Sequence, residues 1–131
     1  MSKKILVIED DPVVARLMQY TLTKHGYEVQ TASNGLEGLR KARQERPDLI
    51  MLDVMLPGID GFEICHRLRA EFQGDNIPIV MLSGKARETD RTTGLGVGAD
   101  DYLVKPVSPS KVVSVVSGFL EHEPDTGSAR D

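Results

Sequence analysis

The stretch ILVIEDDP, residues 5–12, passes from four consecutive apolar residues to three consecutive acids and a proline. A continuous apolar run of this length is typical of a strand that is covered on both faces of a parallel sheet. Adjacent carboxylates repel one another and a buried unpaired carboxylate is costly, so we expect water or a cation beside these acids. Asp11 before Pro12 also has the pattern of a helix N-terminus, and we favour a capping role for Asp11 over metal contact.

Four further segments have the length and composition of strands: 28–32, 49–52, 79–82 and 102–104. The segments between them carry apolar residues at helical spacing. Strands that alternate with helices indicate parallel pairing and right-handed crossovers. The sequence therefore predicts an α/β fold, a doubly wound five-stranded parallel sheet with five alternating helices.

Start and stop signals bound most of the predicted helices, which follow Asp11, Asn34, Gly61 and Ser108. A fourth helix in chain order, between Arg87 and Gly98, is predicted to be short because Gly94 and Gly96 are poor helix formers. The apolar residues expected to face the core are Val14, Leu17, Met18 and Leu22 on the first helix, Leu36 and Leu39 on the second, Phe62, Cys65, Leu68 and Phe72 on the third, and Val112, Val116, Phe119 and Leu120 on the fifth.

The composition is that of one globular domain. The chain has 131 residues, a formal net charge of -4 and scattered basic residues, which argues against direct nucleic-acid binding. Cys65 is the only cysteine, and no apolar stretch is long enough to cross a membrane, so we expect a cytoplasmic protein. We expect the domain to occupy residues 1–121 and the polar segment 122–131 to be a flexible C-terminal tail or the start of a linker.

Charged and hydroxyl residues follow the predicted strands at their carboxyl ends. Glu9 and Asp10 follow the first strand, Asp53 the third, Ser83 the fourth and Lys105 the fifth. Ligands bind at this edge of open parallel sheets, near the point where the strand order reverses. Each residue alone has an ordinary explanation as a turn, strand-end or surface residue, but together they predict a functional site.

Four blocks of the sequence, ILVIEDD, PDLIMLDVMLPGIDGFE, IPIVMLSG and GADDYLVKP, resemble the flavodoxin-like receiver domain of bacterial two-component response regulators. The resemblance implies that a sensor histidine kinase or a phosphotransfer protein donates a phosphoryl group to Asp53. It also implies a Mg²⁺ cofactor, with Asp10 and Asp53 as direct ligands, the backbone carbonyl of Met55 as a third ligand and Glu9 acting through water.

The same resemblance assigns roles to the residues around the acceptor. Lys105 and Ser83 are expected to contact the phosphoryl group, and the Lys105–Pro106 peptide bond is expected to be cis. Ser83 and Tyr102 are expected to couple as a conformational switch that signals to a downstream protein or to a missing output domain.

The block GADDYLVKP resembles the receiver subgroup that pairs through its last helices and strand and usually precedes a DNA-binding domain. The fifth predicted helix retains only Lys111 among the charges that commonly link such dimers, and it is expected to leave Val113 and Val115 exposed. We therefore expect at most a weak or phosphorylation-dependent dimer.

Two other functions use similar residues. A phosphatase of the haloacid dehalogenase type needs a second acid two residues after its nucleophile, and Met55 occupies that position. A phosphorylation-independent pseudo-receiver that serves as an interaction module generally lacks an acid or the lysine, which are all present here. We expect no enzyme activity beyond the domain's own phosphotransfer and slow autodephosphorylation.

Overall fold

The computed structural model describes residues 2–72, 76–84, 93, 96 and 98–121. Five parallel strands form one sheet in the order β2-β1-β3-β4-β5, and four helices lie within the described residues. The strands are β1 (Lys4–Ile8), β2 (Glu28–Ala32), β3 (Leu49–Asp53), β4 (Ile79–Ser83) and β5 (Asp101–Val104), and the helices are α1 (Pro12–Lys24), α2 (Gly35–Glu45), α3 (Gly61–Glu71) and α4 (Pro109–Leu120). The predicted doubly wound parallel sheet is confirmed.

Helix α4 is the helix that the sequence predicts as the fifth. The predicted helix between Arg87 and Gly98 lies outside the described residues, apart from Thr93, Gly96 and Gly98. The predicted tail, 122–131, also lies outside them. Within the part of the chain that the structure describes, no helix combines the length and the apolar character needed to span a bilayer.

A polar side chain caps the N-terminus of each described helix. Asp11 Oδ1 accepts hydrogen bonds from the backbone N–H groups of Val13 and Val14, at 2.9 and 3.4 Å, so the capping role predicted for Asp11 is confirmed. The caps of α2, α3 and α4 are Asn34, Asp60 and Ser108. Each cap satisfies an N–H group that has no partner within the helix, and this fixes where the chain turns from strand to helix.

Two apolar layers cover the sheet, one on each face. Successive residues of a strand point to opposite faces, so Leu6 and Ile8 pack in the layer beneath α2 and α3, while Ile5 and Val7 pack in the layer beneath α1 and α4. The strand order reverses between β1 and β3, which are hydrogen-bonded neighbours. The crevice expected at this reversal lies beside the carboxyl ends of these two strands.

Three apolar residues predicted to face the core are exposed instead: Leu17 (47%), Leu36 (64%) and Phe119 (36%). On α2 the buried residues include Gly35, Gly38 and Ala42 besides Leu39. A side-chain carbon at Gly38 would lie 2.5 Å from Ile8 Cδ1, so small residues bring α2 close to the sheet and Leu36 lies on the outer side. The helical spacing of large apolar residues does not reveal a buried face that is built from glycine and alanine.

The opposite error occurs on α4. Val113 and Val115, which were expected to be exposed, are half-buried, and Val115 packs against the core layer beneath α1 and α4. The buried face of α4 is therefore centred on Val112 and Val116 and extends to Val115.

Candidate functional site

Three carboxylates converge at the carboxyl ends of β1 and β3. Glu9 and Asp53 are both 2% exposed, whereas Asp10 between β1 and α1 is exposed. One carboxylate oxygen from each of these three residues lies within 4.8 Å of the others. Neighbouring parallel strands cause this convergence, because Ile8 pairs with Leu52 and both strands end in acids at the same edge. The predicted clustering of these acids is therefore observed.

Backbone N–H groups orient the two buried carboxylates. The N–H of Asp11 donates to Glu9 Oε2 at 3.1 Å, and the N–H of Met55 donates to Asp53 Oδ1 at 3.1 Å. Both bonds are local, spanning two residues, so the turn after each strand fixes the direction of the acid at its end.

Lys105 supplies positive charge to the cluster. Its Nζ lies 2.8 Å from Glu9 Oε1 and 3.4 Å from Asp53 Oδ2. Lys105 follows β5, and its backbone N–H donates to the carbonyl of Ser83 at 2.7 Å, which continues the pairing of β4 and β5 beyond the last strand residue. The Lys105 ammonium group thus contacts two of the three clustered acids, and carboxylates outnumber it in the cluster.

Burial and the neighbouring charges change the pKa values of Asp53 and Lys105. Burial, followed by the charge of Glu9 and its hydrogen bond, raises the pKa of Asp53 to about 7 from an ordinary value of 3.8. Burial alone would lower the pKa of Lys105, but its contacts with Glu9 and Asp53 raise it above the ordinary value. The arrangement favours an additional cation, because carboxylate oxygens at this separation are the ligands that hard divalent ions prefer.

Comparison with known proteins identifies the family. The family model described as "Response regulator receiver domain" matches residues 5–117, which include every residue of this cluster. The chain belongs to the response regulator receiver family.

The receiver domain is similar to part of longer regulators. It is 51% identical over 120 residues to the alkaline phosphatase synthesis transcriptional regulatory protein PhoP of Bacillus subtilis, covering 92% of this chain and 49% of PhoP. It is 50% identical over 103 residues to the transcriptional regulatory protein AfsQ1 of Streptomyces coelicolor, covering 79% of this chain and 44% of AfsQ1. The chain spans about half the length of these curated relatives.

Among solved structures, the receiver domain is similar to the chemotaxis protein CheY4 of Vibrio cholerae. The TM-score is 0.87 with 34% sequence identity, and the match covers 92% of this chain and 100% of the CheY4 chain. A similarity that spans the whole CheY4 chain agrees with the strand order and the helix placement described above.

The other predicted site residues of the receiver domain lie near the cluster in sequence or in the sheet. Ser83 is the last residue of β4 and is fully buried, one residue beyond Leu82, which pairs with Asp53. Tyr102 lies on β5, is 3% exposed and packs in the layer beneath α2 and α3. The Lys105–Pro106 peptide bond is cis. The roles of Ser83 and Tyr102 remain predictions.

The backbone N–H of Met55 takes part in the acid cluster, although the residue is largely exposed. Its N–H contacts Asp53, whereas the residue as a whole is 58% exposed. The metal contact expected of its carbonyl, and the water-mediated contact expected of Glu9, remain predictions.

One feature beside the site was missed from the sequence. An apolar groove of about 330 Å³ lies between α1 and the residues that follow β5, with Val14, Leu17, Met18, Pro106, Val107 and Val112 among its walls. Lys105, whose ammonium group contacts Asp53, is also a lining residue, so the groove adjoins the acid cluster. The available signal in the sequence was that α1 carries more large apolar residues than it can bury against the sheet. Val13, Leu17 and Tyr20 remain exposed.

Proposed function

We propose that this receiver domain accepts a phosphoryl group onto Asp53 from a phosphohistidine of a sensor histidine kinase or phosphotransfer protein, in a reaction that requires Mg²⁺. The observation that supports this most directly is the gathering of Glu9, Asp10 and Asp53 oxygens within 4.8 Å, beside the Lys105 ammonium. A carboxylate is a weak nucleophile, so transfer depends on positioning and on neutralising the charge of the phosphoryl oxygens.

The donor set fits Mg²⁺, which prefers oxygen ligands and retains several waters. Asp10 and Asp53 would be its direct carboxylate ligands, the Met55 carbonyl a third ligand, and Glu9 would act through water. When bound, the ion would offset the repulsion among the acids and neutralise charge on the transferring group.

The chain's own residues account for the transfer. An Asp53 carboxylate oxygen forms a bond to phosphorus as the bond between phosphorus and the donor imidazole nitrogen breaks, and the imidazole retains that electron pair. Lys105 contacts Asp53 at 3.4 Å and would pair with a phosphoryl oxygen during the reaction. Slow autodephosphorylation would follow when water attacks phosphorus and Asp53 leaves as a carboxylate.

The signal would pass through Ser83 and Tyr102. The Ser83 hydroxyl would donate a hydrogen bond to a phosphoryl oxygen, a contact that exists only in the phosphorylated domain. Tyr102 is buried in the layer beneath α2 and α3 and lies on the strand next to Ser83, where a shift of Ser83 could change its packing. The switch is a population shift between two packings, biased by the new contact.

The donor protein would dock on the apolar groove between α1 and the residues after β5. A partner seated there lies next to Lys105 and therefore next to the acceptor. The signal would pass to a downstream protein or an output domain, with a weak or phosphorylation-dependent dimer as one consequence. We place the domain in the cytoplasm, with no membrane contact and no direct nucleic-acid binding by this chain.

Intact mass measurement after incubation with acetyl phosphate and Mg²⁺ tests the proposal. The wild-type domain should gain the mass of one phosphoryl group, and Asp53→Asn should gain none. Asp60→Asn is the matched control, because Asn caps a helix as well as Asp does and Asp60 only caps α3, so it should label like the wild type.

Three outcomes would contradict the proposal. A wild-type domain that stays unlabelled would favour the pseudo-receiver alternative. Labelling of Asp53→Asn would show another acceptor, and labelling that persists in excess chelator would show that the metal is not required.

A further inference from the structure

Gly61, the first residue of α3, lies directly against the backbone of the predicted phosphoacceptor. A side-chain carbon built at Gly61 would lie 2.3 Å from the carbonyl oxygen of Asp53, 2.7 Å from the Cα of Val54 and 3.0 Å from the carbonyl carbon of Asp53. The N–H of Gly61 also donates to the Val54 carbonyl at 2.8 Å. Helix α3 therefore begins in contact with the peptide unit that carries the acceptor.

The requirement for glycine here is one of space, since the backbone of Gly61 is not in the left-handed conformation. At Gly35 and Gly38 an added carbon would meet the side-chain ends of Ile64 and Ile8, and at Gly98 it would meet the Arg69 side chain. Among the glycines of the described segments, Gly61 has backbone atoms as its nearest obstacles. Side-chain ends can rotate away, whereas backbone within a paired strand cannot.

The same peptide segment determines the direction of the acceptor carboxylate. Asp53 is the last residue of β3, and the N–H of Val54 donates to the Leu82 carbonyl of β4 at 2.9 Å. The N–H of Met55, one residue further, orients Asp53 Oδ1. A displacement of the Asp53 carbonyl would therefore also turn the carboxylate and move the Met55 backbone.

We propose that Gly61 is a positioning residue for phosphoryl transfer, because its missing side chain lets α3 begin against the Asp53 carbonyl and so sets the direction of the acceptor. Relieving the contact in Gly61→Ala needs a shift of about 1 Å, from 2.3 Å to the 3.4 Å of an ordinary contact. A misplacement of this size costs roughly tenfold to a hundredfold in rate. This inference rests on the proposed role of Asp53.

Gly35→Ala is a matched control variant. Gly35 is also the buried first residue of a helix, α2, and its added carbon would lie 2.7 Å from an atom, but that atom is the flexible tip of Ile64. Both variants add the same methyl group at the same helix position and differ in what the methyl group meets.

The experiment measures the phosphorylation rate of folded domain at rising acetyl phosphate and saturating Mg²⁺, together with unfolding in urea for each variant. A positioning role predicts that Gly61→Ala loses maximal rate by roughly tenfold to a hundredfold, while Gly35→Ala stays close to the wild type even where its unfolding free energy falls equally. A purely structural role would lower the folded fraction and leave the maximal rate per folded molecule unchanged.

Trimethylamine N-oxide, which strengthens folding, is added to all samples if Gly61→Ala is partly unfolded. An unchanged maximal rate in folded Gly61→Ala would overturn the inference, as would an equal loss in Gly35→Ala. A chain that remains unfolded in the osmolyte would also overturn it, by showing that Gly61 is a requirement of folding. If the wild type and Gly35→Ala fail to accept phosphoryl at all, the proposed function fails and the inference fails with it.

Discussion

The two ends of the parallel strands arrange their charges in opposite ways. The amino edge is the side of the sheet where the strands begin, and the carboxyl edge is the side where they end. At the amino edge, the Arg69 guanidinium donates to the carbonyl of Gly98 at 2.7 Å, to the carbonyl of Ile77 at 2.6 Å and to Asp100 Oδ2 at 2.5 Å. Its hydrogen-bonding groups are matched by acceptors from the segments that enter β4 and β5. At the carboxyl edge, three acids cluster together, and the Lys105 ammonium contacts two of them, Glu9 and Asp53.

This difference separates a structural contact from a binding site. A matched guanidinium stabilises the fold and has no need of a further ligand. Crowded carboxylates with insufficient positive charge cost stability and gain from an added cation. In the metal-free domain, repulsion among the acids should therefore destabilise the carboxyl edge, whereas the Arg69 contacts should stabilise the amino edge.

The largest expected effect concerns the charge of Asp53 in metal-free protein. Its folded pKa of about 7 lies above the ordinary 3.8, so the folded state binds this proton more tightly than the unfolded state does. The stability that this group contributes is fully present below about pH 4 and is lost as the pH rises through about 7, on the order of 4 kcal/mol. Asp53→Asn, which cannot ionise, should gain stability relative to the wild type over this range.

Urea unfolding of both proteins in chelator, from acidic to neutral pH, measures this difference. The difference between variant and wild type isolates Asp53 from the other titrating groups. If the difference in unfolding free energy between the variant and the wild type does not change with pH, charge repulsion does not destabilise the carboxyl edge. The contrast between the two edges is then wrong.

The next effect concerns the amino edge. Arg69→Met keeps the apolar stem but leaves Asp100 and two carbonyls without the guanidinium, and should lower the unfolding free energy by about 2 kcal/mol. Arg67→Met is the control, since within the described part of the chain Arg67 makes an exposed ion pair with Glu63 at 3.0 Å, and its loss should cost at most about 0.5 kcal/mol.

The Arg69 variant should also leave Mg²⁺ affinity unchanged, because the two edges lie at opposite ends of the strands. Chemical denaturation and calorimetry on the same sample check both statements. A variant that unfolds as the wild type does, or that loses Mg²⁺ affinity while still folded, would remove the distinction between the edges.

The smallest effect concerns another amino-edge contact. The hydroxyl of Tyr27, before β2, donates to Glu121 Oε2 at 2.6 Å and lies 3.3 Å from Ser117 Oγ at the end of α4. Tyr27→Phe should cost about 1 kcal/mol in urea unfolding, because a partly buried hydrogen bond to a carboxylate is lost. Tyr20→Phe, at a residue 63% exposed, should cost nothing measurable. Equal costs for both would show that the Tyr27 contact contributes nothing.

The sequence predicted the strands and the acid cluster because both depend on local patterns. Apolar runs located four strands and a weaker alternating pattern located β2, each to within one residue. Acids that directly follow two such runs meet wherever the strands are neighbours. The resemblance to receiver domains supplied the roles of the individual residues, and the family match agrees with it.

Contacts between distant segments could not be predicted in this way. Arg69 and Asp100 are 31 residues apart, and Tyr27 and Glu121 are 94 residues apart, so neither pair leaves a local pattern. Leu36 was placed wrongly because the buried face of α2 is built partly from glycine and alanine, which hydrophobic spacing does not detect. The contact of Gly61 with Asp53 likewise depends on how closely α3 approaches β3.

The central claim is that the crowded acids of the carboxyl edge bind a cation, and calorimetric titration of the folded domain with Mg²⁺ tests it most directly. The wild type should bind one Mg²⁺, and Asp10→Asn and Asp53→Asn should show little or no binding over the range that saturates the wild type, while Asp60→Asn binds as the wild type does. A folded wild-type domain that takes up no Mg²⁺, or an affinity that neither acid substitution changes, would contradict the account.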